Sequence, residues 1–517
     1  MHGRSRREFL SDVGRGMLVA SLGSATAMEL GVAPALAEES GHRLTFGRIE
    51  PLVSFMQETS LDELLPALVD KLNAGMDLKT LVSAAALANA RAFGGQDYTG
   101  YHTFMALVPA YQMSSELSTQ RQPLPVLKVL YRNSSRIHTQ GASQQDVLCP
   151  VDAADSVASS RGGELVQEAV RALDWDAAEA RFAALAKGPA GEAFNHVQFT
   201  VQDEVDVHRV VLAWRSWAML DLAGSQYAHA LLRQSVRYCV NTEQRLRDRK
   251  RPVSAVREVL PRLLDEYRLL DEPLGNRKAE DGWVKELART VFSASREQAA
   301  DAVAAALGEG MDPEAVGEAI SLAANLLVLH DPGRRKEHSS PQKPPGCVHG
   351  DSVGVHASDA ANAWRNIARV SNARNKVASL FVGAFHTAGQ TSWVTKEPYP
   401  YADQLDSIRE KDSDVLLAQA EEAIRANDQA RACAVVHRYG EFGLPARPVF
   451  DLLVKYAVSE DGALHAEKYY RTVCEEFEAS RPAFRWRQLV ALARVTASEY
   501  GFAAPGYQEA CDLLGVS

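Results

Sequence analysis

Histidine is the residue type in this chain whose spacing could do chemistry. His102, His208 and His356 each follow an aspartate by five positions, as Asp97-x4-His102, Asp203-x4-His208 and Asp351-x4-His356. The first two sit in similar surroundings, Gln96-Asp97-Tyr98-Thr99-Gly100-Tyr101-His102 beside Gln202-Asp203-Glu204-Val205-Asp206-Val207-His208. A further pair recurs as Ile137-His138-Thr139-Gln140-Gly141 and Phe385-His386-Thr387-Ala388-Gly389. A neutral imidazole nitrogen ligates Zn, Fe or Cu, and its pKa near 6.5 permits proton transfer close to neutrality. His102, His208 and His356 are accordingly the candidates for acid–base catalysis. His102, His138, His356 and His386 are the candidates for a site holding a transition metal (Fe, Zn or Cu), with His229 and His349 in reserve. Taken one at a time, each of these reads instead as a packed core residue that donates a ring N–H to a carbonyl. No E-x-x-H, H-E-x-x-H or C-x-x-C-H motif supports a particular metal centre, which speaks against a di-iron carboxylate bundle and against c-type haem.

Helices must position these rings. Five residues turn an α-helix through about 500°, so Asp and His in Asp-x4-His point about 140° apart and cannot share one ion from an unbroken helix. The aspartates are better read as N-caps, with Asp97, Asp203 and Asp351 accepting from backbone N–H groups and the histidines one turn further in. The apolar neighbours Thr103-Phe104-Met105-Ala106-Leu107 and Arg209-Val210-Val211-Leu212-Ala213 turn those histidines toward the interior.

The helical signals are written twice. Ser60-x-x-Glu63 opens a pattern ending in Leu72-Asn73-Ala74-Gly75-Met76-Asp77, and Ser295-x-x-Gln298, 235 positions on, opens one ending in Leu307-Gly308-Glu309-Gly310-Met311-Asp312. Each reads as a capping box, a helix, a glycine stop and an aspartate that caps the next helix. Asp97 and Asp351, Arg171 and Arg425, and Arg233-Gln234 and Arg487-Gln488 then repeat at a constant offset of 254, while His138 and His386 lie 248 apart. The 19-residue change from 235 to 254 matches an insertion near 330–348, rich in Pro, Gly and charge and read as an exposed loop. The expected architecture is all-α, a tandem duplication of a multi-helix unit with two pseudo-twofold-related halves over 43–290 and 291–517 and a cleft between them. The insertion loop, with Cys347 and His349, is a candidate cover for that cleft.

Composition agrees with this class and narrows the partners. The chain has 517 residues, 46% hydrophobic, 24% charged and 7% aromatic, an Ala- and Leu-rich globular texture. A net charge of −10 without a basic stripe argues against nucleic acid. The six cysteines form no C-x-x-C and no compact framework, so they read as mostly buried thiols. At the start, Ser5-Arg6-Arg7-Glu8-Phe9-Leu10, a weakly apolar run from Met17 to Ala33 and Ala35-Leu36-Ala37 match a twin-arginine export signal over 1–37. The expected partner is the twin-arginine machinery, and the expected location is periplasmic or otherwise extracytoplasmic after cleavage, with no permanent membrane span.

At Leu72 to Asp77, Tyr101-His102, Leu307 to Asp312 and Val355-His356-Ala357 the chain resembles the helical questin oxidase-like group, whose members open or oxygenate aromatic polyketide rings in a Baeyer–Villiger fashion. The resemblance covers about a quarter of the chain and carries over no catalytic residue. Motif, duplication and resemblance together predict an exported, oxidoreductase-like enzyme with a histidine-lined, metal-binding cleft for a small organic molecule. The alternative is a helical-repeat binding or scaffold protein of the cell envelope with packed histidines. Convergence or dispersion of the recurrent imidazoles separates the two.

Overall fold

The computed structural model describes residues 43–140, 146–155, 157–348 and 352–516; the export signal read over 1–37, and His349 and Asp351, lie outside the described residues. Of the described residues 71% are helical and none lies in a strand, so the protein is all-α, as its Ala- and Leu-rich texture favours. No helix among those residues is long and apolar enough to cross a membrane.

A first series comprises α1 (Glu50–Glu58), α2 (Leu61–Asn73), α3 (Leu78–Phe93), α4 (Tyr98–Ser114), α5 (Pro123–Thr139), α6 (Gly162–Ala172), α7 (Trp175–Leu185), α8 (Ala190–Val201), α9 (Val207–Ala218), α10 (Leu220–Ala223), α11 (Ala228–Asp248) and α12 (Val256–Glu266). A second comprises α13 (Asp281–Ser293), α14 (Arg296–Gly308), α15 (Pro313–His330), α16 (Val353–Val370), α17 (Ala373–Thr387), α18 (Ala402–Ser407), α19 (Ser413–Arg425), α20 (Gln429–Glu441), α21 (Arg447–Ser459), α22 (His465–Ala479), α23 (Trp486–Glu499) and α24 (Tyr507–Leu514). Neighbours in the first series are α1 with α3, α4 with α5, α6 with α7, and α9 with α11; in the second they are α13 with α15, α16 with α17, α19 with α20, and α22 with α23. Phe46–Ser517 fold as one compact unit. Across the two series, α4 packs on α22 and α9 packs on α16.

Local sequence accounts for these elements. In α3 and α15 almost every side chain is buried; helices apolar on all sides belong in a core, and their many alanines let neighbouring helices approach closely. Ser295 forms a full capping box with Gln298, whereas the Ser60 hydroxyl donates to the Glu63 carboxylate at 2.9 Å. Asp77 and Asp312 cap α3 and α15 after turns in which Gly75 and Gly310 take φ of +94° and +82°, the left-handed region open to glycine.

The expected set of three aspartate caps holds at Asp97, which accepts from Gly100 N at 2.7 Å. It is corrected on α9, where Asp206 rather than Asp203 is the cap and accepts from His208 N at 2.8 Å. Asp203 instead pairs with Arg171 at 2.6 Å. The physical reason is register: α9 begins at Val207, so the aspartate directly before it is the one within reach of the free N–H groups. On α16 the cap is Ser352, which accepts from Val355 N at 3.2 Å.

The insertion is partly ordered by its own backbone: Arg334 N donates to Cys347 O at 2.9 Å and Gly346 N to Arg334 O at 2.8 Å. Gln429 on α20 and Ser498 on α23 hold its C-terminal side at Gly346 O and Val348 N. Cys347 is buried, as are four of the other cysteines; only Cys149 is exposed.

Candidate functional site

The N-terminal turns of α4, α9, α16 and α22 meet, and each brings one imidazole. The rings form a closed cycle: His102 to His208 at 4.7 Å between centroids, His208 to His356 at 5.4 Å, His356 to His465 at 5.5 Å and His465 to His102 at 5.1 Å. All three catalytic candidates, His102, His208 and His356, are therefore brought together, joined by His465, which no Asp-x4-His spacing marks. Its signal was present in weaker form, as Glu460-x4-His465, which stands 257 positions after Asp203-x4-His208.

The other predicted metal ligands lie elsewhere. His138, at the end of α5, has Nε2 at 2.6 Å from Thr59 O. His386, at the corresponding end of α17, accepts from Trp364 Nε1 at 3.3 Å; it is near enough to help depress the basicity of His356 but makes no ring contact with the four. His229 sits on α11 with its ring 6.0 Å from Phe182.

Two glycines allow the close approach that positions the rings. Gly100 and Gly354 each precede a cluster histidine by two residues. A Cβ on Gly100 would stand 2.5 Å from the Phe93 ring, and one on Gly354 would stand 2.5 Å from Val328 Cα and 2.6 Å from Val328 N. The second contact is with backbone, so α16 can lie against α15 only because position 354 has no side chain.

His465 is placed by strain. Gly462, Ala463 and Leu464, just before it, have φ of +48°, +49° and +65°, and two of these carry a Cβ that the left-handed region penalises. This turn is held from the other series by Lys128 on α5, whose Nζ donates to Ala457 O at 3.0 Å and to Glu460 O at 2.5 Å and pairs with Glu467 at 2.6 Å.

Hydrogen bonds orient each ring. His102 Nδ1 lies 2.7 Å from Tyr98 O, and His465 Nδ1 lies 3.1 Å from Ala463 O. A carbonyl only accepts, so Nδ1 carries the proton in both rings and Nε2 keeps its lone pair. His208 Nδ1 faces Asp206 Oδ1 at 3.3 Å, which assigns it the same tautomer. Nε2 of His102 and Nε2 of His208 are buried with no hydrogen-bond partner, while Nε2 of His356 and Nε2 of His465 face each other at 3.4 Å.

Burial and neighbouring positive charge keep His102, His356 and His465 uncharged. Burial, then the His208 ring and the Lys468 ammonium, push His356 down to about 3. Burial and Lys468 drive His102 and His465 well below the ordinary histidine value. Lys468, one turn beyond His465 and itself buried, is pushed down to about 8 by burial against the opposing pull of Asp359 and Glu467. Asp206 goes the other way: burial raises it, but the bonds from His208 and from the Tyr238 hydroxyl at 3.0 Å hold it well below the usual carboxylate range.

Tyr98 stacks 4.4 Å from His102 and is 55% exposed, whereas His102 is 2% exposed. The Tyr98 edge, where the His208 side chain keeps 17% and Asp206 23% of its exposure, is the side facing solvent. Among the described residues no set of three or more His, Cys, Asp and Glu side chains is arranged, as it stands, to hold a metal ion. As they stand the rings form a cluster in which Nε2 of His102, His208 and His465 carries a lone pair, suited, after ring rotation, to a cation. Comparison of the chain with protein-family models, with curated proteins and with solved structures found no match.

Proposed function

We propose that the protein is an exported, oxidoreductase-like enzyme in which His102, His208, His356 and His465 bind a transition metal (Fe, Zn or Cu) and act on a small organic molecule reaching the site past Tyr98. The observation that carries this reading is the orientation of the rings. Three imidazoles have Nδ1 tied to a carbonyl or carboxylate and direct Nε2 inward, the outer-shell arrangement that fixes tautomer and raises basicity in metal-ligating histidines. Tetrahedral Zn–N bonds of 2.0–2.1 Å require N···N edges of about 3.4 Å, the separation of Nε2 in His356 and His465. Small ring rotations would bring the other two nitrogens to the same ion. Against the scaffold alternative stands the cost of the arrangement: four clustered imidazoles, two unpartnered Nε2 atoms and a strained turn have no packing benefit that apolar side chains would not give at lower cost.

The paired series of helices supports an origin by tandem duplication, with His102 matching His356 and His208 matching His465. Export as a folded chain follows from the twin-arginine reading, and redox chemistry from the resemblance to the questin oxidase-like group.

Metal content of protein purified from its native host, together with Co(II) titration followed by its visible absorption, tests the reading. Stoichiometric metal in the wild type, lost in His356→Ala and His465→Ala but kept in His138→Ala, is expected. Absence of metal, together with no Co(II) spectrum, overturns the metal assignment and leaves the acid–base cluster.

A further inference from the structure

The helices that carry His102 and His465 also build a second, separate concavity at their far ends. A cleft of about 850 Å³ opens among the start of α3, the C-terminal turn of α4, the start of α21 and the C-terminal half of α22. Nine positions separate His102 from Tyr111 and His465 from Cys474, so the cleft lies about 13 Å along both helices from the imidazoles. Its volume falls within the roughly 300–1,000 Å³ of small-molecule sites.

Two features of the lining define a ligand. Tyr111, Phe450 and Phe477 supply aromatic surface, and Phe450 and Phe477 are locked edge to face at 5.2 Å, which gives a rigid wall for a flat ring. Arg471 lines the cleft with only Nε engaged, by Glu475 at 2.9 Å, and the Lys79 ammonium stands on the rim. Both offer donors to an anion.

The remaining charges are committed. Asp77 caps α3 through Thr80. Glu116 takes Arg447 at 2.9 Å and the Tyr470 hydroxyl at 2.8 Å, and Arg447 also pairs with Asp451 at 2.7 Å. Glu478, on the exposed rim, disfavours a second negative charge.

We infer that this cleft is a binding site for an aromatic monocarboxylic acid, with its ring on Phe450 and Phe477 and its carboxylate held by Arg471 and Lys79. The site is independent of the imidazole cluster. Isothermal titration of the full chain with cinnamate tests it, beside 3-cyclohexylpropanoate.

Saturable binding is expected, weakened about tenfold when the aromaticity is removed. Lys79→Gln should weaken cinnamate about threefold, and His356→Ala/His465→Ala should not change it. Thermal unfolding of each variant separates lost binding from lost folding. No saturable binding to millimolar concentration overturns the inference. So does binding that ignores Lys79→Gln in a variant that folds, or binding abolished by the histidine changes.

Discussion

His356 and His465, 109 residues apart in sequence, face each other through Nε2 atoms 3.4 Å apart. His465 Nδ1 is committed to the Ala463 carbonyl, so its Nε2 offers a lone pair that accepts the Nε2 proton of a neutral His356 or, once that proton is lost, shares a cation with it. Replacing either ring should therefore lower Co(II) affinity by at least about 100-fold, whereas His138→Ala, which loses only the bond to Thr59 O, should cost about 1 kcal/mol of stability and leave Co(II) binding unchanged. Equal effects of His465→Ala and His138→Ala on the titration would sink the assignment.

Asp206 serves His208 twice, accepting its backbone N–H and facing its Nδ1. Asp206→Asn keeps a good helix cap but removes the charge behind the ring. Metal affinity should fall about 10- to 100-fold, with the thermal midpoint changed far less. Unchanged affinity in a folded variant would show that the carboxylate plays no part in ligation.

Stability should depend on pH through the buried rings. His356 titrates at about 3 in the fold against about 6.5 in an unfolded chain. Between those values the unfolded chain holds a proton that the native state lacks, so stability falls as pH drops below about 6.5. The slope is about 1.4 kcal/mol per pH unit for each such ring, and His102 and His465 act in the same direction. Asp206, depressed below its ordinary value, contributes stability above about pH 3.9 that is lost only as pH falls through its lower native value. Thermal midpoints measured from pH 7 to pH 5 should decline, and His356→Gln/His465→Gln should flatten the decline. A slope unaffected by the double change would mean that other groups govern it.

Gly354→Ala puts a methyl group 2.5 Å from Val328 Cα and forces α16 away from α15. A loss of about 1–3 kcal/mol is expected, along with weakened metal binding through displacement of His356. Gly282→Ala, where a Cβ meets nothing within 4 Å, should be neutral or stabilise α13 by up to about 1 kcal/mol. Chemical denaturation of the two variants compares them directly, and similar midpoints would contradict the close approach of α15 and α16.

Relief of strain gives the opposite sign at Ala463. With φ at +49°, Ala463→Gly should stabilise the fold by up to about 1 kcal/mol if the turn before His465 is held as found. A destabilised variant in the same denaturation series would show that the left-handed geometry carries no penalty there.

Much of this protein was legible in order along the chain. Periodic Ala and Leu, Gly75 and Gly310 as stops, and Asp77, Asp97 and Asp312 as caps are local signals, set by a few neighbouring residues and their backbone N–H groups, and they fixed helices that the fold retains. Of the histidines, His102, His208 and His356 were legible because each sits a few residues into a helix with apolar neighbours. Tertiary structure alone decided that these three rings meet, that His465 completes them, and that His138 and His386 point to Thr59 and Trp364 instead. Convergence depends on how α4 packs on α22 and α9 on α16, on the missing Cβ of Gly354, and on Lys128 holding a turn more than 300 positions away. Contacts between residues so distant in sequence arise from the packing of whole helix faces, a property that no spacing within a single helix encodes.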